Sequence, residues 1–353
     1  TFTDGFPVLY SLYIYAPNKW APIVFIALYG ISAVFHIWQC YRYKAFRLIG
    51  LHPICAVLFT AGYSLREYGT YNYIYSKTDK TPLMVFVFSQ VFIYVCPPLL
   101  ELANYHVLGR VLYYVPHCAP IPPGRVMAIF GGLMAVVETL NALGVALYAN
   151  PSSTPEKQSI GSHLTVAAIA IQVVLVVVFL CLAALFHKRC SRSGIRSGPV
   201  TTMLLTLYAS TALIFIRCVY RLVEHASGGR AEIDDVEAMR RMSPILRHEV
   251  YFYVFEAALM LANSLLWNAW HPGRFLPREH HVYMAPDGVE VVGERDVDGR
   301  PIWARVLNVL TFGIAFRKKR RVQGGGEKIR LAESPARSGE QASSLVAAPG
   351  QAV

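Results

Sequence analysis

HEVYFYVFEAALMLANSLLWNAWHPGR, residues 248–274, decides the fold. The stretch is apolar and long enough to cross a bilayer, which takes about 20 residues. It nevertheless carries Glu249, Glu256, Asn263 and Trp270 at intervals of seven. Seven residues are close to two helical turns, so these four side chains fall near one stripe. A carboxylate is expensive in hydrocarbon, so the stripe is expected to face protein or a wet cavity and not lipid. The predicted helix stops at His271-Pro272-Gly273, where proline and glycine end it.

The rest of the chain has the same character. Of its 353 residues 54% are hydrophobic and only 16% charged, against about 25% charged in soluble domains. This composition indicates a polytopic membrane protein and excludes an enzyme-sized soluble domain. The formal net charge is +11, and its basic residues gather in short links and in the tail. That distribution suits anionic lipid of the cytoplasmic leaflet and argues against nucleic acid. The seven cysteines sit mostly in apolar segments and predict free thiols. The sequence opens at Thr1 without a basic-then-apolar leader, so a removed segment or a shifted numbering is expected.

Hydropathy predicts an all-α fold of seven transmembrane helices, about 20–40, 48–67, 82–112, 124–149, 162–187, 200–223 and 249–270. The expected organisation is an extracellular segment 1–19, a seven-helix membrane domain 20–274, a cytoplasmic tail 275–322 and a disordered end 323–353. Basic residues such as Arg42, Lys44 and Arg47, or Lys188, Arg189, Arg192 and Arg196, concentrate in alternate links. The positive-inside rule then places the N-terminus outside and the C-terminus in the cytoplasm. Arg230, Arg240, Arg241 and Arg247 in the sixth link weaken that contrast. Residues 301–316 are too short to span comfortably and precede Arg317-Lys318-Lys319-Arg320-Arg321. They read as an interfacial helix pinned to anionic lipid, or as a slack basic tail.

Depth along each span, at about 1.5 Å per residue, suggests which buried charges meet. Arg217 and Glu256 both lie two turns in from the outer surface, and Arg221 and Glu249 lie nearer to it. The expected pairs are therefore Arg217 with Glu256 and Arg221 with Glu249. Arg66 and Glu67 end the second span on the same side, and Arg217, Arg221 and Glu224 share a face. Deeper lie Glu138 with Asn141, Glu101 with Asn104, His36 with Gln39, and Gln172. Glu101 follows Pro97-Pro98, a pair expected to bend its span and free backbone carbonyls. Glu101 and Glu138 have no basic partner at their depth, which points to a polar cavity or proton coupling. Ion pairs between helices can also simply fix a bundle, and both readings stay open. His36 reads as a packing or hydrogen-bonding group. Trp267, Trp270, Tyr251 and Tyr253 read as membrane-interface anchors.

No Walker A, HExxH, GxSxG or paired-cysteine metal motif occurs, so no catalytic residue, metal or cofactor is assigned. A haem iron between His36 and His106 would need the two imidazoles to face each other.

Several motifs carry a family likeness. They are Arg217-Cys-Val-Tyr-Arg221-Leu-Val-Glu224, His248-Glu249-Val-Tyr, Glu256, and Asn268-Ala-Trp-His271-Pro272-Gly273-Arg274, with Gly62-Tyr63, Arg66 and Leu108-Gly109-Arg110 earlier. Over residues 20–275 the chain resembles the fungal RTA-like, or lipid-translocating exporter, proteins. It departs from them where Thr60-Ala61 precede Gly62-Tyr63, a place where a glutamate is frequent, and where Gly131-Gly132 and Glu138 mark the fourth span. The resemblance implies a fungal protein of the plasma membrane, or alternatively of an internal membrane, that moves a sphingoid-base-like or sterol-like amphiphile and contributes to resistance to toxic compounds. Its partners would be membrane lipids or amphiphilic small molecules, with a homo-oligomer as an open alternative. The headgroup is expected to meet Glu256, Arg217, Glu138 and Glu101, with Asn263, Arg221 and Glu249 around them. The alternatives are a seven-span sensor or receptor that regulates lipid homeostasis, and a lipid-acting enzyme using His36 or His271.

Overall fold

The computed structural model describes residues 7–76, 78–149, 154–194, 197–227, 236–277, 279, 281–286 and 288–293. Its main helices are α1 (Ala21–Tyr43), α3 (Leu51–Tyr71), α4 (Thr81–Tyr114), α5 (Pro123–Ala149), α6 (Pro155–Arg192) and α7 (Gly198–Ala226), with a one-turn α2 (Phe46–Ile49) in the first link. Short helices α8 (Val236–Arg241) and α9 (Pro244–Arg247) lead into the last rod. That rod is α10 (Glu249–Phe252), a π-helical turn (Tyr253–Ala258) and α11 (Leu259–Ala269). Six of these helical segments are long and apolar enough to cross a membrane: α1, α4, α5, α6, α7 and residues 249–274. The chain is an α-helical, polytopic membrane bundle. α3 has 21 residues and packs between α1 and α4, but Arg66, Glu67 and the tyrosines and glycines around them dilute its apolar character.

The helix starts follow local chemistry. α1, α4, α6 and α7 carry proline in the first turn, where its missing N–H has no helical partner to lose. α1 stops at Lys44, which turns left-handed at φ 52° and returns its N–H to the Cys40 and Tyr41 carbonyls. α4 runs on as one 34-residue helix through Pro97 and Pro98, so the proline pair does not end it. Beside the prolines, Cys96 Sγ lies 3.5 Å from the Cys55 carbonyl and Cys55 Sγ 3.6 Å from that of Cys96. The two thiols clip α3 to α4, and all seven cysteines are free.

Glycine sets the closest helix contacts. A Cβ on Gly161 would sit 2.6 Å from the Tyr148 nitrogen and 2.7 Å from the Gly144 carbonyl oxygen. α5 and α6 therefore meet backbone to backbone, which only small residues permit. Gly62 leaves room between α3 and α4, where a Cβ on it would lie 2.9 Å from Ile93 Cγ1. Gly161→Val is expected to destabilise the chain by about 1–3 kcal/mol, the usual scale of overpacking. A fall in thermal midpoint in detergent would register it, and an unchanged midpoint would mean that the helix pair yields freely.

Two cores fill the bundle. At the end where α1 begins, Tyr29, Phe59, Tyr63, Phe252 and Tyr253 are buried, with Phe25 stacked on Tyr63 at 5.4 Å and on Tyr253 at 5.5 Å. At the other end Tyr105, Phe130, Phe179, Phe186 and Trp267 pack together. Ile31, Val34, Phe35 and Trp38 on α1 stay exposed, as residues facing acyl chains do.

The last rod corrects two expectations. Trp270 follows the final helical residue and is exposed, so it leaves the stripe on which Glu249, Glu256 and Asn263 lie buried. Trp267 and Tyr253 are buried and are no interface anchors. Beyond the rod comes a feature the sequence reading does not contain. A 3-10 turn (Pro272–Arg274) leads to an antiparallel hairpin of β1 (Val282–Met284) and β2 (Glu290–Val292). Arg110 on α4 holds the intervening chain through the Pro277 carbonyl at 3.0 Å and that of Glu279 at 2.7 Å. The basic segment 301–321 lies outside the described residues.

Candidate functional site

Two buried ion pairs and one buried carboxylate form a polar axis inside the bundle. Arg217 on α7 meets Glu256 in the π turn at 2.8 Å, as depth suggests. Glu256 is wholly buried. Its Oε1 takes the Arg217 Nε bond, while Oε2 has no partner among the described residues. Tyr29 donates its hydroxyl to the Ala257 carbonyl at 2.9 Å, so α1 supports the same turn. A π turn widens the helix and is frequent at functional sites.

The second pair differs from the expectation. Glu249 does not meet Arg221. It meets Arg66 of α3 at 2.9 Å, and Arg221 bonds Glu224, three residues on, at 2.5 Å and stacks 4.1 Å from the Tyr94 ring. Depth along a span cannot say which of two neighbours lies closer around the bundle, and α3 is the one that faces α10. Arg66 also donates to the Tyr253 hydroxyl at 3.2 Å and to that of Tyr15 at 3.3 Å. Its guanidinium lies 4.7 Å from the Tyr13 ring and 4.2 Å from that of Phe252. The other Glu249 oxygen accepts from the Asn18 amide at 2.7 Å. The N-terminal segment is thereby strapped over the end of α3, where Ser11 bridges Ile74. Burial pushes the Tyr13 and Tyr15 phenols up, so both stay protonated.

Glu101 on α4 is buried against neutral partners. It accepts from the Tyr105 hydroxyl and from Gln172 Nε2 of α6 at 2.9 Å. Glu138 on α5 is only half-buried beside Asn141 and forms no ion pair among the described residues. Asn104 bonds Ser210 at 2.9 Å, and Trp267 donates to the same hydroxyl at 2.9 Å, which joins α4, α7 and α11. Asn263 is wholly buried, and neither amide atom is bonded among the described residues.

The structure thus pairs Arg217 with Glu256, sets Glu101 against Tyr105 and Gln172, and leaves Glu138 beside Asn141. It sets Arg66 and Glu249 apart at one end and leaves Arg221 with Glu224. The motif His271-Pro272-Gly273 is a corner: His271 Nδ1 accepts from the Gly273 amide at 3.1 Å, and a Cβ on Gly273 would strike Tyr43 Cβ at 2.7 Å. Arg274 returns to the Ala269 carbonyl at 3.3 Å. Tyr15, Asn18 and Tyr105 are site residues that the sequence reading misses. Tyr105 was within reach of it, because it stands four residues after Glu101 on the same face. Among the described residues no three His, Cys, Asp or Glu side chains gather as a metal site.

Comparison with known proteins supplies the family. The profile described as RTA1 like protein matches residues 53–279. The chain is 52% identical over 319 residues to a lipid-translocating exporter-like protein RTA1 of Leptosphaeria maculans, covering 89% of this chain and 61% of that protein. It is 29% identical over 252 residues to a protein of the same name from Ajellomyces capsulatus, covering 67% of this chain and 75% of that protein. It is 24% identical over 285 residues to the probable lipid transporter atnI of Emericella nidulans, covering 75% of this chain and 68% of that protein. No solved structure matches the chain significantly. With the profile covering more than half of its length and the motif residues building the corner, the ion pairs and the Arg110 clamp, the chain belongs to the RTA1-like family.

Proposed function

We propose that this protein carries an amphiphilic lipid across the bilayer, its headgroup passing the Arg217–Glu256 pair. One observation carries the reading: a charge pair sealed inside an apolar bundle keeps a carboxylate oxygen, Glu256 Oε2, without a protein partner. A buried carboxylate oxygen needs a donor, and a headgroup amine or hydroxyl is one. The sphingoid-base class fits best, since its ammonium and hydroxyls suit Glu256 and the nearby Glu101 and Glu138. The tail would lie along the apolar flank, outside the polar axis. The family supports the reading, because its curated relatives include proteins named as lipid-translocating exporter-like.

On this reading α3 is a seventh span. Its 21 residues give about 31 Å at 1.5 Å per residue, and its charged end is held by Glu249 instead of lipid. Residues 7–19 then lie outside, the hairpin and tail inside, and the plasma membrane is the expected location. The test is reconstitution of the full chain in liposomes, with leaflet sampling of a fluorescent sphingoid base and a fluorescent phospholipid. Protein-dependent movement of the base is expected, with a strong loss in Glu256→Gln at equal folded abundance. Movement that Glu256→Gln leaves intact would refute the assignment of the site.

A further inference from the structure

Below the ion pair, toward the end that carries the hairpin, lies a second buried polar group that the headgroup site does not use. Ser32 and His36 on α1, His52 on α3, and Asn263 and Ser264 on α11 are all buried. His36 Nε2 lies 3.1 Å from Ser264 Oγ, and Ser264 Oγ lies 2.7 Å from Ser32 Oγ. The His36 and His52 rings stand 5.4 Å apart, and His52 rests on Trp267 at 5.4 Å. Asn263 stands one turn from Trp267 on the same rod. His271, itself buried, follows toward the hairpin end, 4.0 Å from Cys40 Sγ and stacked on Tyr43.

Among the described residues His36 Nδ1, both ring nitrogens of His52 and both amide atoms of Asn263 have no protein partner, and neither has Glu256 Oε2, two turns from Asn263 along the rod. So many buried polar groups without partners are not tolerated dry, and ordered water is the usual remedy. The hydroxyl chain His36–Ser264–Ser32 can run in either direction: the imidazole donates to Ser264 in one tautomer and accepts from it in the other. A chain that reverses by shifting each proton one place is a proton conductor. Imidazole is the side chain that gains and loses a proton near neutral pH.

We propose that this column is a water-filled proton path from the hairpin end to Glu256, with His36 and His52 as its relay, and that amphiphile movement is coupled to proton movement. The inference rests on the reading of Glu256 as the headgroup site. One proton enters from water at the hairpin end, passes the buried His271, the two imidazoles and the bridging water, and neutralises the Glu256 carboxylate. That loosens Glu256 from Arg217 and frees both for the headgroup. The proton leaves to the opposite side as the pair reforms, so none is consumed. The titratable groups around the relay are Cys40 on α1, His52 on α3, and His271 and Arg274 after the rod. α11 brings only neutral side chains, and α4 brings Asn104 with Glu101 one turn away.

The test uses the full chain in liposomes loaded with a pH-sensitive dye. A potassium diffusion potential should drive proton uptake without any added lipid, and His36→Gln and His52→Gln should each abolish it. If His52→Gln does not fold, Ser264→Ala serves as the second variant. With a fluorescent sphingoid base present, a gradient of about one pH unit should bias its direction by up to about tenfold per proton. The two histidine variants should lose that bias. Proton uptake equal to that of protein-free liposomes, or a bias that survives in both folded variants, overturns the path. Proton uptake that depends on the histidines, with no base moved, leaves the path standing and refutes the transport reading instead.

Discussion

Glu256→Ala is expected to leave little folded protein. Arg217 would remain buried with its Nε donor and its charge unmatched, and breaking a buried pair from one side costs about 3–5 kcal/mol. That is a large share of a domain's typical stability of about 5–15 kcal/mol. Removing both charges is different, because an apolar pair of similar volume avoids the desolvation of either ion. Arg217→Met with Glu256→Met should therefore fold at near-parental abundance and still move no lipid. Thermal unfolding in detergent and leaflet sampling on the same preparations read the two effects separately. If the double variant transports, the pair serves only to hold the bundle together. If Glu256→Ala melts where the parent does, the pair does not hold it either.

Arg66→Ala should be comparably severe, again about 3–5 kcal/mol for a buried partner left alone. Three hydroxyl and carboxylate acceptors on three separate elements converge on this one guanidinium. Arg66→Lys is not expected to rescue it, since an ammonium is a point charge and lacks the planar fork that serves several acceptors at once. The distinguishing observation is where the damage appears. Loss of Arg66 should expose the N-terminal strap at Tyr13 and Tyr15 to limited proteolysis before the rest of the bundle unfolds. Cleavage there at the parental rate would mean that the strap is held by Glu249 and Asn18 without help from Arg66.

The helical bundle was legible because hydropathy and length act along one dimension. The predicted limits fall within a few residues of the observed helix ends, apart from α6, which continues to Pro155 and Arg192. The pairing of Arg217 with Glu256 was legible for the same reason: both depths can be counted from a helix end. The partner of Glu249 was not, because the choice between Arg66 and Arg221 depends on position around the bundle. Trp267 and Tyr253 looked like interface anchors because an aromatic near a span end reads the same whether it faces lipid or protein. The role of Gly62-Tyr63 as a helix contact, and that of Arg110 as a clamp on two carbonyls, depend on backbone approach, which composition does not encode. The hairpin after Arg274 is short and held by α4, so its own sequence carries little pattern.

The π turn at Tyr253–Ala258 holds one residue more per turn than the α-helix on either side of it. The rod is therefore two segments out of phase: α10 is set to α3 through Glu249, and the turn itself to α7 through Glu256. A related chain that closed this turn as plain α-helix would need one residue fewer between the two glutamates. Aligning such a chain without a gap would misplace its counterpart of Glu249 by one position, about 100° around the helix, away from the arginine. For such a chain a single-residue gap inside this helix, which hydropathy alone would reject, would restore the register.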